Sequence, residues 1–579
     1  MGTASLDRQA KLPPPVAAAL AQLRAGAVDV ASARLAELAA QDVLAGRRAQ
    51  ARATLDAALA IAPQNATLLA RLAGLAQLDG DAVGAESLAR RALAANPGEP
   101  MAATLLVDAL CERAACSEAI AVGEACLART PVAPHVRRAL ARAYLFAGRA
   151  HEACTFAKRA ADELPGNPTA IASLLLASLY DERLAAPQLA ALHHIQGARL
   201  PPDPAQAKLA PRPPLANRAL RVGVLSADLN QHPVGLLAEP LLRELDRSRF
   251  ELFVYARVMH ADALTHRLKG LGLAWRDCAT MSDAEVHAAM QADRIDLLLD
   301  MSGYTAGGRP RLLAARAAPV QVAWLGYPFG TGLKSVDYLI GDEQVLPRGS
   351  EPLYGERLLR LPVCFVCPQG LAEAPPVAPS PALLRGTVTF GSLNHLAKLS
   401  DRTVALWCEI LRHVPDARLV LCAHGLGDSS TRQYTQQRFV AHGIDARRVA
   451  LMPPRESLPE FLGYYDSIDI GLDPLPFNGG ATTLQALWQG VPTITMPGRT
   501  FASRMGASIA HAAGLREFIA RDAADYAAIA RQWAARTSEL ARLRDGLRGR
   551  LAASALFDAK RFAHDFGAAL AEAARRGPR

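Results

Sequence analysis

Three short segments combine residues suited to handling a charged ligand. The first runs Asp473-Pro474-Leu475-Pro476-Phe477-Asn478-Gly479-Gly480-Ala481-Thr482-Thr483-Leu484-Gln485-Ala486-Leu487-Trp488, from a strand-like run through small residues into an apolar helical stretch. Small residues leave backbone N–H groups uncovered, a helix N-terminus favours phosphate, and Thr482 and Thr483 add hydroxyl donors. An ordinary strand-to-helix turn with threonine capping suits the same residues. The Walker lysine is missing, so ATP hydrolysis is not implied. The second segment, Asn394-His395-Leu396-Ala397-Lys398, follows another strand-like run. An ammonium there can stabilise a departing diphosphate, although a lysine after a strand is also commonly a solvated surface group. The third is Ser226-Ala227-Asp228-Leu229-Asn230-Gln231-His232-Pro233-Val234-Gly235. His232 offers the side chain whose titration lies nearest neutrality, or serves only to hold its loop.

These segments need strands behind them. From Leu220 short β-rich runs alternate with helical stretches, at 221–225, 250–255, 295–299 and 320–324. After a proline-rich stretch at 375–381 the alternation restarts, at 388–392, 418–422, 449–452, 468–472 and 493–496. This pattern predicts two tandem parallel sheets with crossover helices. Ligands of such sheets sit beyond the carboxyl ends of the strands, so a cleft between two lobes is expected.

The first third follows a different rule. Pro63, Pro97, Pro131 and Pro165 are spaced by 34 residues, the tetratricopeptide period. In the same frame Gly46, Gly80 and Gly148 mark a turn between paired helices, with Ala114 at the exception. Small residues recur at Ala51, Ala85, Ala119 and Ala153, and at Ala58, Ala92, Cys126 and Ala160; Leu38, Leu72, Leu106 and Leu140 supply the larger knob. A helical solenoid with a concave groove follows, and such grooves bind peptides or proteins; packing against the rest of the chain or homo-oligomerisation are the other uses. A degenerate pair at 170–198 is expected to cap the array. A proline-rich linker at 201–215 then precedes lobes at 216–385 and 386–579, the latter including the C-terminal helices, so the repeat region is 1–200.

Composition narrows the function classes. The chain has 579 residues and a formal charge of +9 without a dense basic run, which argues against nucleic acid as the main partner. It lacks the roughly 18 uncharged apolar residues of a membrane span. No basic segment followed by an apolar core opens the sequence, so a cytoplasmic location is expected. Of nine cysteines only Cys364 and Cys367 form a CxxC spacing, with no second pair, so reduced thiols and no zinc site are expected.

Taken in order, the repeats, the Ser226 to Pro233 segment, Asp300-Met301-Ser302-Gly303-Tyr304-Thr305, Arg316-Ala317-Ala318-Pro319-Val320-Gln321-Val322-Ala323-Trp324-Leu325-Gly326-Tyr327-Pro328, Lys398 and Asn478-Gly479-Gly480-Ala481-Thr482-Thr483 resemble the O-linked N-acetylglucosamine transferase family, and specifically a bacterial member. The resemblance implies an α plus α/β multidomain chain, a tetratricopeptide solenoid followed by a GT-B transferase of two Rossmann-like lobes. It implies UDP-N-acetylglucosamine as donor and inverting transfer to Ser or Thr of a protein. Lys398 would steady the departing diphosphate and His395 would lie near the uridine. Gly479, Gly480, Ala481, Thr482 and Thr483 would hold the phosphates and Gln485 the ribose, with Arg455 and Phe461 in the same nucleotide-sugar set. His232 would sit by sugar and acceptor, with Asp300, Tyr304, Gly330, Thr331 and Gly332 on that side. No cofactor or metal is implied: Asp79-Gly80-Asp81, the Asp-x-Asp of the chain, falls in a repeat turn. Tyr304 and Phe461 stand where the animal enzymes have histidines, and Gln485 where they have an acidic residue. The stretch at 370–385 is too short for the large animal insertion. Related protein O-fucosyl or N-glucosyl transferases, and a repeat scaffold with weak catalysis, are the alternatives.

Overall fold

The computed structural model describes residues 13–202, 209, 218–371 and 373–579. Apart from residues 201, 202 and 209, the expected linker at 201–215 lies outside the described residues. A helix at Pro14–Arg24 is followed by Val28–Leu44 and Arg48–Ile61, Ala66–Leu78 and Ala82–Ala95, Pro100–Glu112 and Cys116–Arg129, then Pro134–Phe146 and Ala150–Glu163. The periodic prolines fall between these pairs. Inside each pair the turn is left-handed, with φ of 75° at Gly46, 83° at Gly80 and 73° at Gly148. Ala114 adopts it too, at 58°. Its Cβ makes that conformation costly, so the 34-residue frame imposes the turn where the residue does not favour it. The small residues at the helix crossings are buried, including Ala51, Ala58, Ala92, Ala119 and Cys126.

The chain groups into two compact units, one of residues up to Ala147 with Thr155–Leu164, the other of Gly148–Cys154 with Pro165–Arg579. The helices Pro168–Ser178 and Ala186–Arg199, expected as the end of the array, belong to the second unit. Their Ile171, Leu175, Leu179 and Leu189 share one core with Tyr327, Phe329 and Leu333. At Gly197 a Cβ would come within 2.6 Å of the Gly332 carbonyl oxygen, so helix and loop meet main chain to main chain.

The first sheet contains β1 (Leu220–Ser226), β2 (Phe250–Ala256), β3 (Ala274–Asp277), β4 (Leu297–Asp300), β5 (Val320–Ala323), β6 (Tyr338–Asp342) and β7 (Arg357–Leu361). Their order is β3-β2-β1-β4-β5-β6-β7, parallel throughout. The second contains β8 (Thr389–Ser392), β9 (Arg418–Cys422), β10 (Val449–Met452), β11 (Ile470–Leu472) and β12 (Thr493–Ile494), in the order β10-β9-β8-β11-β12, also parallel. Strand order reverses between β1 and β4 and between β8 and β11. The segments that begin at Ser226, Asp300, Asn394 and Asp473 each leave one of these four strands at its carboxyl end, where a doubly wound sheet opens its crevice, whereas Arg316 to Pro328 runs through β5.

Three strands lay outside the sequence reading. β3 and β7 are sheet edges carrying Arg276, Asp277, Arg357 and Arg360, so neither shows an apolar run. β6 is fully buried but ends in Gly341 and Asp342, which break its apolar run. The lobe assignment also needs a correction at its end. Helix Ala559–Arg576, expected within the second lobe, packs on the first: Phe562, Phe566, Leu570 and Ala573 share a core with Val254, Trp324 and Ile340. Their near-i,i+4 spacing forms one apolar stripe, and burying that stripe on the first sheet outweighs sequence proximity.

Candidate active site

The β8 and β11 segments converge on Lys398, which closes the 3-10 turn Leu396–Lys398. Its Nζ donates to the Asn478 carbonyl oxygen at 2.8 Å and to Asn394 Oδ1 at 3.3 Å, and lies 4.4 Å from the centroid of the Phe477 ring. Thr482 Oγ1 donates to the same Asn394 Oδ1 at 2.9 Å, which ties the lysine segment to the small-residue loop. Asp473, buried behind that loop, accepts from the Gly479 N–H and from Thr495 Oγ1 at 2.7 Å. Burial lowers the Lys398 pKa and raises that of Asp473, each offset by the other's charge.

Gly480 caps helix Ala481–Trp488 without a side-chain bond, so its first N–H groups have no intrahelical partner. Thr483 is buried and its Oγ1 has no hydrogen-bond partner among the described residues. No protein acceptor therefore engages that hydroxyl among the described residues. Beside this helix a cavity of about 560 Å³ runs between the lobes. Ala481, Gln485, Arg455 and Phe461 line it from the second lobe, and Gln231, Pro233 and Leu236 from the first. The Arg455 guanidinium sits 4.9 Å over the Tyr464 ring. Among the described residues no group of three His, Cys, Asp or Glu side chains converges as a metal-ligand set.

On the first lobe His232 caps helix Pro233–Glu244, its Nδ1 accepting from the Val234 N–H at 3.3 Å. With Nδ1 acting as acceptor the neutral ring carries its proton on Nε2. The exposed edge therefore offers an N–H donor and no lone pair. His395 repeats the arrangement, accepting from the Ala397 N–H at 3.1 Å. Next to His232, Asp228 Oδ2 and Asn230 Oδ1 are buried without partners among the described residues. Asp300, at the end of β4, accepts from the Gly303 N–H at 2.8 Å and the Ser302 N–H at 3.3 Å. Burial pushes its carboxyl up to about 6.

The remaining first-lobe residues sit among buried contacts. Tyr304 is buried and donates to the Thr331 carbonyl at 2.7 Å, edge-on to Tyr327. Thr331 donates through both N–H and Oγ1 to Glu356 Oε1, each at 2.6 Å. Gly332 has φ of 70°, and a Cβ there would meet the His193 carbonyl oxygen at 2.3 Å. Gly330, Thr331 and Gly332 are buried, Gly332 against helix Ala186–Arg199 and Gly330 against Glu356 and Tyr354; like Lys398, His232 and Asp300, neither they nor Tyr304 are among the residues lining the inter-lobe cavity. Asn394, Asp473 and Phe477 sat inside the segments read from sequence but received no role. Tyr180, stacked on Phe477 at 4.8 Å, lies where the repeat pattern fades and gave no signal.

Residues 205–370 and 381–566 match the family described as Glycosyl transferase family 41. The chain belongs to glycosyl transferase family 41. Among solved structures, a mutant of the Thermobaculum terrenum O-GlcNAc transferase superposes with a TM-score of 0.82 at 31% identity, over 88% of this chain and 97% of that one. The probable UDP-N-acetylglucosamine--peptide N-acetylglucosaminyltransferase SPINDLY of Petunia hybrida is 36% identical over 349 residues, 60% of this chain and 37% of that protein. The UDP-N-acetylglucosamine--peptide N-acetylglucosaminyltransferase of Caenorhabditis elegans is 24% identical over 464 residues, 60% of this chain and 40% of its own length. The match thus spans about two fifths of these curated relatives. This family-41 chain has no described helix long and apolar enough to cross a membrane.

Proposed function

We propose that the protein transfers N-acetylglucosamine from UDP-N-acetylglucosamine to Ser or Thr hydroxyls of a protein acceptor, with inversion and without a metal, as a compact bacterial-type member of its family. The observation that carries this is Lys398, held by Asn478 and Asn394 beside a helix N-terminus whose Thr483 hydroxyl lacks a partner. Those donors suit a diphosphate. As the acceptor oxygen attacks the anomeric carbon, the bond to the diphosphate breaks and its charge grows against Lys398 and the N–H groups of the loop. Phe461 supplies a face for the base, Gln485 and Arg455 polar contacts along the cavity, and His232 an N–H donor on the acceptor side. The repeat groove is the surface for a protein acceptor, and the cytoplasm the expected location.

The test is UDP release from UDP-N-acetylglucosamine, with and without a cell lysate, alongside calorimetry with UDP and with GDP. Neither turnover nor UDP binding would sink the proposal. A second reading keeps the fold and changes the donor sugar, because Gln485 faces the cavity where the animal enzymes place an acid. Preference for GDP over UDP would select it. A scaffold role with weak catalysis predicts that Lys398→Ala leaves partner binding intact.

A further inference from the structure

Helices Pro168–Ser178 and Ala186–Arg199 look like a leftover of the repeat array, yet the loop between them reaches the reaction centre. Tyr180 lies flat on Phe477, with ring centroids 4.8 Å apart and planes inclined by 8°. Phe477 in turn carries the Lys398 ammonium 4.4 Å from its centroid. Two residues on, Glu182 accepts from the Asp401 N–H at 3.1 Å and the Arg402 N–H at 3.1 Å, which fastens the same loop to the start of helix Asp401–His413. Tyr180 is also 6.3 Å from the His395 ring.

We propose that Tyr180 is a positioning residue for Lys398, acting through Phe477. The inference rests on the role assigned to Lys398 above. Main-chain bonds hold the Phe477 loop on both sides: Thr403 Oγ1 bonds both N–H and carbonyl of Leu475 at 2.9 Å, and the Asn478 N–H donates to Ala502 at 2.9 Å. Those bonds fix the backbone, and the buried Phe477 ring takes its orientation from the side chains packed on it, Tyr180 among them. A ring stacked on tyrosine cannot turn without losing that contact. The ring attracts the ammonium only with its face towards it, so the orientation Tyr180 favours acts together with Asn478 and Asn394 in setting where Lys398 holds its charge. The Tyr180 hydroxyl has no hydrogen-bond partner among the described residues. The aromatic face alone is therefore needed. A segment that reads as repeat cap becomes part of the transferase centre.

The decisive experiment is a double-mutant cycle on the full chain, reading donor turnover and UDP affinity. Tyr180→Ala is expected to lower kcat about tenfold while changing UDP affinity less than about threefold, and Tyr180→Phe to restore turnover. In a Lys398→Ala background Tyr180→Ala should have no further effect, because its route to the reaction is already cut. Full additivity of the two substitutions, or no loss in Tyr180→Ala, overturns the inference. Lys398→Ala without effect on turnover overturns the role of the lysine itself, a different failure. A second arm needs no activity. The chain has seven lysines, so ε-carbon labelling gives few signals, and Lys398→Arg identifies the one at issue. Its ring-current shift should vanish in Tyr180→Ala and persist in Tyr180→Phe; a shift unchanged in Tyr180→Ala refutes the proposal.

Discussion

Lys398 keeps an ammonium in a half-buried place where Asp473 offsets part of the cost. A charge so placed is worth most where opposite charge develops during reaction. Lys398→Ala is expected to lower kcat by about a hundredfold or more and UDP affinity by less than about tenfold, measured by UDP release and calorimetry. Equal losses in both would remove its role at the leaving group. Thr483 offers a cleaner separation of binding from stability. Its buried Oγ1 has no protein partner, so Thr483→Val breaks no hydrogen bond within the fold and removes an unsatisfied polar group. The melting temperature of the variant should equal or exceed that of wild type while UDP binds several-fold more weakly, by about 1 kcal/mol. Lowered stability with unchanged UDP affinity would show that the hydroxyl serves the fold.

At the scale of elements, helix Ala186–Arg199 is seated by His193, which donates from Nδ1 to the Leu189 carbonyl and accepts the Tyr327 hydroxyl at Nε2, both at 2.7 Å. Burial pushes the imidazole down to about 4. The folded state resists protonation, so its contribution is complete above the unfolded value of about 6.5 and is lost as pH falls towards 4, by up to about 3 kcal/mol. Asp300, raised to about 6, runs the other way: neutral below that pH, it weakens the fold as pH rises from about 4 to 6. Comparing His193→Gln with wild type cancels the Asp300 slope. The variant should lose less melting temperature than wild type between pH 7 and 4.5; identical losses would mean that His193 is not the group responsible. Gly332→Ala should destabilise the same seat by about 2 kcal/mol or more, because a left-handed residue would drive its Cβ into the His193 carbonyl. How much of this was legible depends on the element. The 34-residue frame predicted even the turn at Ala114, because a repeat multiplies one weak signal. Strands with buried apolar runs were visible except β6, which ends in Gly341 and Asp342, whereas β3 and β7 were hidden by edge charges. The β8 and β11 segments announced themselves through Lys398 and the threonines. A motif gives neighbours in sequence and not those in space: Tyr304 meets Thr331 and Tyr327, and Gly332 meets helix Ala186–Arg199.

For the whole molecule, the boundary between array and transferase should be functional. A chain beginning at Pro165 keeps Tyr180, Glu182 and His193 with both sheets. It is expected to bind UDP like the full chain while losing transfer to a protein acceptor. A chain beginning at Arg218 lacks the helix pair that shares the core of Tyr327 and Phe329, and should bind UDP weakly and expose that apolar surface to a hydrophobic dye. Equal UDP binding by both truncations would show that the helix pair is dispensable to the site.

Helix Ala559–Arg576 adds a constraint on how this chain comes to be folded. Trp324 meets the Phe566 ring at 4.6 Å, so one face of the first sheet waits for residues made after the whole second sheet. Contacts so distant in sequence form late. During synthesis the lobe that appears first is the lobe finished last, and until then Trp324 and its neighbours offer a sticky face that a chaperone could hold.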